Sequence, residues 1–63
     1  MARLEASSNG VFLFTWEGEI VREKTAAVRY ALWHGVRISA EARKLLAAEI
    51  ALVMSELEAQ YDL

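Results

Sequence analysis

The chain has no cysteine and no proline, and a single histidine among its 63 residues. Without cysteine it cannot form disulfides, and one histidine is too few for a structural zinc site. Short proteins rely on such devices because a small core gives little stability, and a monomer of this size is marginal. We therefore expect the chain to be stabilised by association with a second copy of itself.

Clusters of basic residues are also missing. Seven Lys and Arg face nine Asp and Glu, which gives a formal net charge of −2. Phosphate contacts need grouped Lys and Arg, so this composition disfavours nucleic acid as a partner. The near-balance of charge likewise gives no indication of binding to an anionic membrane surface.

Long hydrophobic runs are absent as well. The longest apolar stretch covers residues 45–54 and contains Glu49, whereas a membrane-spanning helix needs about 20 apolar residues. Residues 1–5 lack the basic and apolar regions of a secretion signal. The expectation is a cytoplasmic protein with no membrane association.

The residues that catalysis requires are too few. The only histidine, His34, closes the first predicted helix, and the only aspartate, Asp62, is the penultimate residue, so we predict no catalytic triad. The three glycines lie at separate junctions, so there is no phosphate-binding loop. We predict a protein that is not an enzyme and has no catalytic residues, no cofactor and no metal.

Residues 1–17 are predicted to form a β element. Asn9-Gly10 is a strong signal for a type I′ hairpin turn, which would pair Leu4 with Thr15. The alternative is a single strand at residues 11–16 that pairs with its own copy in a dimer. In the hairpin, one face carries Leu4, Ala6, Val11, Leu13 and Thr15, and the second strand directs Phe12, Phe14 and Trp16 to the other.

Two helices follow. Apolar residues at spacing 4-3-4 predict helix 1 at residues 19–34, with Gly35 as its left-handed C-terminal cap. Ser39 caps helix 2 at residues 39–61, and the short link between the helices implies an antiparallel hairpin. In that register Lys24 lies near Glu49. The chain is thus predicted to be one α+β domain, residues 1–63: a short β-hairpin or strand followed by a helical hairpin.

Helix 2 is apolar around nearly its whole circumference, which one short chain cannot cover, and this predicts an obligate homodimer. If two copies cross antiparallel about Ile50, the basic start of one helix meets the acidic end of the other. The alternative is that the acidic end faces Arg22 and Lys24 of the same chain. The candidate interface residues are Arg43, Lys44, Ala47, Ile50, Ala51, Met54, Glu56 and Glu58.

Five aromatic residues are candidates for binding another protein: Phe12, Phe14, Trp16, Tyr30 and Trp33. Packing in the chain's own core is the favoured interpretation for the strand aromatics, because small domains use aromatics there. The alternative is that these rings anchor a partner protein.

The order strand-helix-helix, with Gly35 between the helices and Ser39 at the second helix start, resembles the ribbon-helix-helix transcription regulators over residues 11–61. The resemblance implies a dimer in which two strands pair and place their outward side chains in the DNA major groove. Here both strand faces are mainly aromatic or aliphatic, and such side chains cannot make the hydrogen bonds that read base edges.

We therefore predict a small non-enzymatic regulatory protein that acts by protein–protein binding, such as an inhibitor or an antitoxin-like adaptor, for example of a phage or another mobile element. A dimeric DNA-binding regulator is the second hypothesis, and a structural self-assembling subunit is the third.

Overall fold

The structure is a computed structural model that describes the backbone of residues 1–61 and the side chains of residues 1–60. It confirms the α+β class. In chain order the elements are β1 Arg3–Ser7, β2 Gly10–Phe14, β3 Ile20–Val21, α1 Lys24–His34, β4 Arg37–Ile38, α2 Ala40–Leu45 and α3 Ala47–Tyr61.

The strands form one four-stranded sheet in the order β3-β2-β1-β4. β2 pairs antiparallel with both β1 and β3, and β4 lies parallel to β1. The predicted β element was an N-terminal hairpin or a single strand, and the sheet gains two strands from later in the chain. β2 pairs with β1 along its whole length and with β3 at Leu13 and Phe14, so it is an internal strand of the sheet.

The hairpin forms, but its predicted register is wrong by two residues. Leu4 pairs with Leu13 rather than with Thr15, and the loop is residues 8–9. Within the described residues only glycines have positive φ, and Gly10 has a φ of 120°. A type I′ turn needs positive φ at both central residues, so the turn is of another type.

The predicted faces of the hairpin survive this shift, because side chains alternate with a period of two. Leu4, Val11 and Leu13 are buried together, as expected from the alternation. The turn itself is stabilised locally: the Ser7 hydroxyl accepts a hydrogen bond from the Asn9 N–H at 3.2 Å.

Helix α1 begins at Lys24, later than predicted. Residues 20–21 are instead β3, where β-branched side chains pack well on a sheet. Glu23 caps the helix, and its carboxylate accepts a hydrogen bond from a backbone N–H of the first turn. The C-terminal cap is as predicted: Gly35 has a φ of 65°, and its N–H bonds to the Ala31 carbonyl.

The predicted second helix, residues 39–61, is interrupted at Leu46. Ser39 caps α2 as predicted, since its hydroxyl accepts from the Ala42 N–H at 3.2 Å. Leu46 has φ −105° and ψ 17°, outside the helical range. Its N–H still bonds to the Ala42 carbonyl, and its carbonyl accepts from the Ile50 N–H. No glycine or proline marks this break, which coincides with complete burial of the Leu46 side chain.

All the helices that touch the sheet pack on the same side of it. α1 contacts β1 and β2, α2 contacts β1, and α3 packs on α1. The opposite side of the sheet is not covered by any element within residues 1–61. The buried apolar residues are Ala2, Leu4, Val11, Leu13, Ala27, Val28, Ala31, Val36, Ala42, Leu46, Ile50 and Val53.

Within residues 1–61, none of the helices combines the length and the apolar character that crossing a membrane requires.

Leu45 and Leu46 are neighbours in the chain but differ in burial, so substitutions at these two positions test the described packing. We expect Leu46→Ala to lower the free energy of unfolding by about 2–5 kcal/mol, because it leaves a cavity in the core. Leu45→Ala is the matched control: its side chain is 61% exposed, and a surface change should alter stability by about 0.5 kcal/mol or less. Urea unfolding followed by circular dichroism at one protein concentration measures both. Equal losses would contradict the described packing.

Candidate functional site

The side of the sheet away from the helices carries a row of side chains that crosses all four strands. Phe14 pairs with Ile20 on one side and with Arg3 on the other, and Arg3 also pairs with Arg37. We call this surface the open sheet face; its residues are Arg3, Glu5, Phe12, Phe14, Ile20, Arg22 and Arg37.

Guanidinium groups lie over both phenylalanine rings of the open sheet face. The Arg3 guanidinium carbon is 4.6 Å from the centre of the Phe14 ring, and that of Arg22 is 5.1 Å from the centre of the Phe12 ring. Both distances are within the range of cation–π attraction. Arg3 Nε also lies 2.7 Å from Glu5 Oε1. Both rings are half-buried, and the side chains that cover them are arginines outside the hydrophobic core.

This placement corrects the favoured interpretation of the strand aromatics as core residues. Phe12 and Phe14 lie outside the buried cluster, and Trp16 is 58% exposed. The second strand is flanked by helices on only one side, so its outward alternate residues have no apolar element above them. The alternation of side chains along the strand correctly placed Phe12 and Phe14 on one face of the sheet. It could not show that no helix would pack on that face.

Charge is unevenly distributed over the open sheet face. It holds three arginines and one glutamate, although the chain as a whole has a net charge of −2. Acidic residues border it at the β3 edge, where Glu17, Glu19 and Glu23 are exposed. Arg37 and Arg3, which is paired with Glu5, lie at the β1–β4 end with Glu41 beside them, and Arg22 lies at the β3 end among the exposed acids.

The link between β2 and β3 is held in place by polar contacts. Thr15 is buried, and its hydroxyl accepts from the Glu19 N–H at 3.0 Å. The Trp16 N–H donates to the Tyr30 hydroxyl at 3.3 Å, and that hydroxyl donates to Glu17 Oε1 at 3.1 Å. These bonds hold the backbone of the link, two residues beyond Phe14, beside Tyr30 of α1.

Tyr30 and Trp33 lie on a second surface, a groove of about 330 Å³ between α1 and α3. Val53 and Leu57 provide its apolar lining, and Trp33 is 60% exposed. The Tyr30 ring also packs against His34, with ring centres 4.2 Å apart. The five aromatic candidates are therefore divided between two surfaces.

One wall of this groove is tied across the two helices by an ion pair. Arg29 Nη2 lies 3.0 Å from Glu56 Oε2, and the Arg29 Nε also donates to that oxygen at 3.3 Å. The predicted contact between Lys24 and Glu49 is absent from the ion pairs formed within residues 1–60. The predicted antiparallel register would have placed Lys24 beside Glu49, whereas the structure pairs Arg29 of α1 with Glu56 of α3.

The candidate interface residues of the predicted helix 2 fall into two groups. Ile50 is buried in the chain's own core, and Glu56 is held by Arg29. The others are exposed: Arg43, Lys44, Ala47, Ala51, Met54 and Glu58.

Within the described side chains, no three His or acidic residues are grouped closely enough to hold a metal ion.

The three arginines, Glu5 and Ile20 complete the open sheet face and were not predicted as site residues. Side chains alternate along β1, and this places Arg3 on the same sheet face as Phe14. The sequence pattern could therefore have identified Arg3 as a site residue. Arg37 could not be found in that way, because its position depends on the parallel pairing of β4 with β1, between segments distant in sequence.

No family model matches this chain, and comparisons with curated proteins and with solved structures find no match.

Neighbouring residues of β2 test the openness of the sheet. We expect Leu13→Ala to lower the free energy of unfolding by about 2–5 kcal/mol, because Leu13 is fully buried. Phe14→Ala should cost less than about 2 kcal/mol although it removes a larger side chain, because the ring is only partly buried. Thermal and urea unfolding of the two variants measure this. A larger loss for Phe14→Ala would place its ring in the core.

Proposed function

We propose that this chain is a small non-enzymatic protein-binding module, and that its open sheet face binds another protein whose activity it regulates. One observation carries the proposal: two phenylalanines on the central strand β2 have no helix above them, and an arginine flanks each ring. Aromatic residues and arginine are the types enriched at the energetic centres of protein interfaces.

The arrangement favours a partner segment that presents both apolar and acidic side chains. Phe14 and Ile20 offer an apolar strip, with Ile20 52% exposed. At the other end of the same row, Arg3 and Arg37 offer guanidinium groups, which bind carboxylates in a bidentate manner. The acidic residues near β3 would repel an acidic partner segment from that edge, and they therefore favour one orientation of the bound segment.

A single-stranded nucleic acid is the competing ligand for a surface of aromatic rings and arginines. One feature weighs against it. Exposed Glu17, Glu19 and Glu23 border the face and would repel a phosphate backbone. The pairing of β2 with β1 along its length, and with β3 at Leu13 and Phe14, weighs against the ribbon-helix-helix alternative.

Affinity capture from a native extract tests the proposal. The bait is the full chain, and the matched baits are the double variant Phe12→Ala/Phe14→Ala and the control Leu45→Ala, which alters an exposed apolar residue on α2. We expect a protein that is retained by the wild type and the control after nuclease treatment, and lost from the double variant. Its affinity for the double variant should fall by about thirtyfold or more, as is typical of interface anchors.

Fluorescence on the purified pair provides the direct readout. In a Trp33→Phe background Trp16 is the only tryptophan, so partner binding at the open sheet face should change its emission and protect it from acrylamide quenching. Retention that depends on nucleic acid and weakens steeply with salt would support the competing ligand. Equal binding by wild type and double variant would refute the proposed surface.

A further inference from the structure

The loop of the β1–β2 hairpin holds the only asparagine of the chain, and a glycine follows it. Asn9 and Gly10 are both exposed. Gly10 has a φ of 120°, and a Cβ built on it would meet nothing within 4 Å. The peptide bond between Asn9 and Gly10 is therefore open to water, and no side chain at position 10 crowds it.

This peptide can react with the asparagine side chain. The Gly10 backbone nitrogen, after giving its proton to hydroxide, attacks Cγ of Asn9. An N–Cγ bond forms, the Cγ–Nδ2 bond breaks, and Nδ2 takes a proton from water and leaves as ammonia, which regenerates the hydroxide. The product is a succinimide ring. Glycine favours ring closure because it has no Cβ to hinder the backbone rotation.

We propose that Asn9 is a self-modification site, at which the folded chain converts the asparagine through this succinimide into isoaspartate and aspartate. Water adds to one of the two ring carbonyls. Aspartate results when the N–Cγ bond breaks. Isoaspartate results when the bond from the Gly10 nitrogen to the backbone carbonyl carbon of Asn9 breaks, because the main chain then continues through Cγ. Either product adds one negative charge to a chain with a formal net charge of −2.

The end of the strand ladder makes this reaction accessible from the folded state. The pair formed by Ser7 and Gly10 is the last one before the loop, and chain segments at such ends open at a low free-energy cost. Only this pair has to open for the Gly10 nitrogen to turn toward the Asn9 side chain. The rest of the hairpin and the core stay in place.

The Ser7 side chain restrains the reacting peptide. Its hydroxyl accepts a hydrogen bond from the Asn9 N–H at 3.2 Å and lies 3.5 Å from the Gly10 carbonyl oxygen. Ser7 thus contacts the residues on both sides of the bond and limits the rotation that brings the Gly10 nitrogen to Asn9 Cγ. Removal of this hydroxyl should speed the reaction.

Isoaspartate should weaken the hairpin, because it adds a methylene to the main chain inside the loop, and loop length fixes the register of a hairpin. The pairs nearest the loop are Ser7 with Gly10 and Ala6 with Val11, and Val11 is buried. We expect the separated isoaspartyl chain to unfold at a lower urea concentration than a fresh Asn9→Asp variant, which carries the same charge on an unaltered main chain. Equal midpoints would contradict this effect on the hairpin.

Incubation of the full chain in mildly alkaline buffer, followed by peptide mapping, tests the modification itself. The tryptic peptide of residues 4–22 contains Asn9 and no aspartate, so isoaspartate in this peptide comes only from Asn9. We expect a mass gain of about 1 Da, isoaspartate in excess over aspartate, and a rate that rises in proportion to the hydroxide concentration. Asn9→Gln keeps a side-chain amide and should give neither product over the same time.

Two serine variants test the restraint. Ser7→Ala should react several-fold faster than the wild type, whereas Ser8→Ala, which alters the other exposed serine beside Asn9, should react at the wild-type rate. The full chain in urea gives the rate of the unfolded state. The proposal is overturned if the folded wild type forms no isoaspartate while the chain in urea does, or if aspartate is the sole product. A Ser7→Ala variant no faster than Ser8→Ala would refute the restraint by Ser7.

Discussion

The structure depends on one constraint: 63 residues can cover only one side of their own sheet. Burial of Leu4 and Leu13 beneath α1 and α2 provides the core, and the hydrophobic effect at about 25 cal/mol per Å² makes this the main source of stability. Within the residues that the structure describes, no element packs on the far side of the sheet. The open sheet face is a consequence of this one-sided packing.

Strand β1 connects the parts of this small core. It pairs with β2 on one edge and with β4 on the other, so it joins the hairpin to the segment between the helices. The Ser39 N–H donates to the Leu4 carbonyl at 2.9 Å, which also ties the start of α2 to β1. A strand with modest β propensity is thus kept in place by long-range pairing, as expected when tertiary context outweighs local preference.

The open sheet face is built from aromatic rings and guanidinium groups, which suit a partner with acidic and apolar side chains.

Local sequence was sufficient for the caps, the alternating faces and the fold class. Ser39 and Gly35 mark helix ends because their preferences act over a single turn, and a two-residue register error leaves strand faces unchanged. Long-range contacts decided the rest. β3 replaced the predicted start of helix 1 because β2 offered a free edge, and Arg37 joined the open sheet face only through its pairing with Arg3. Such contacts form between residues far apart in the chain, where no local pattern can specify them.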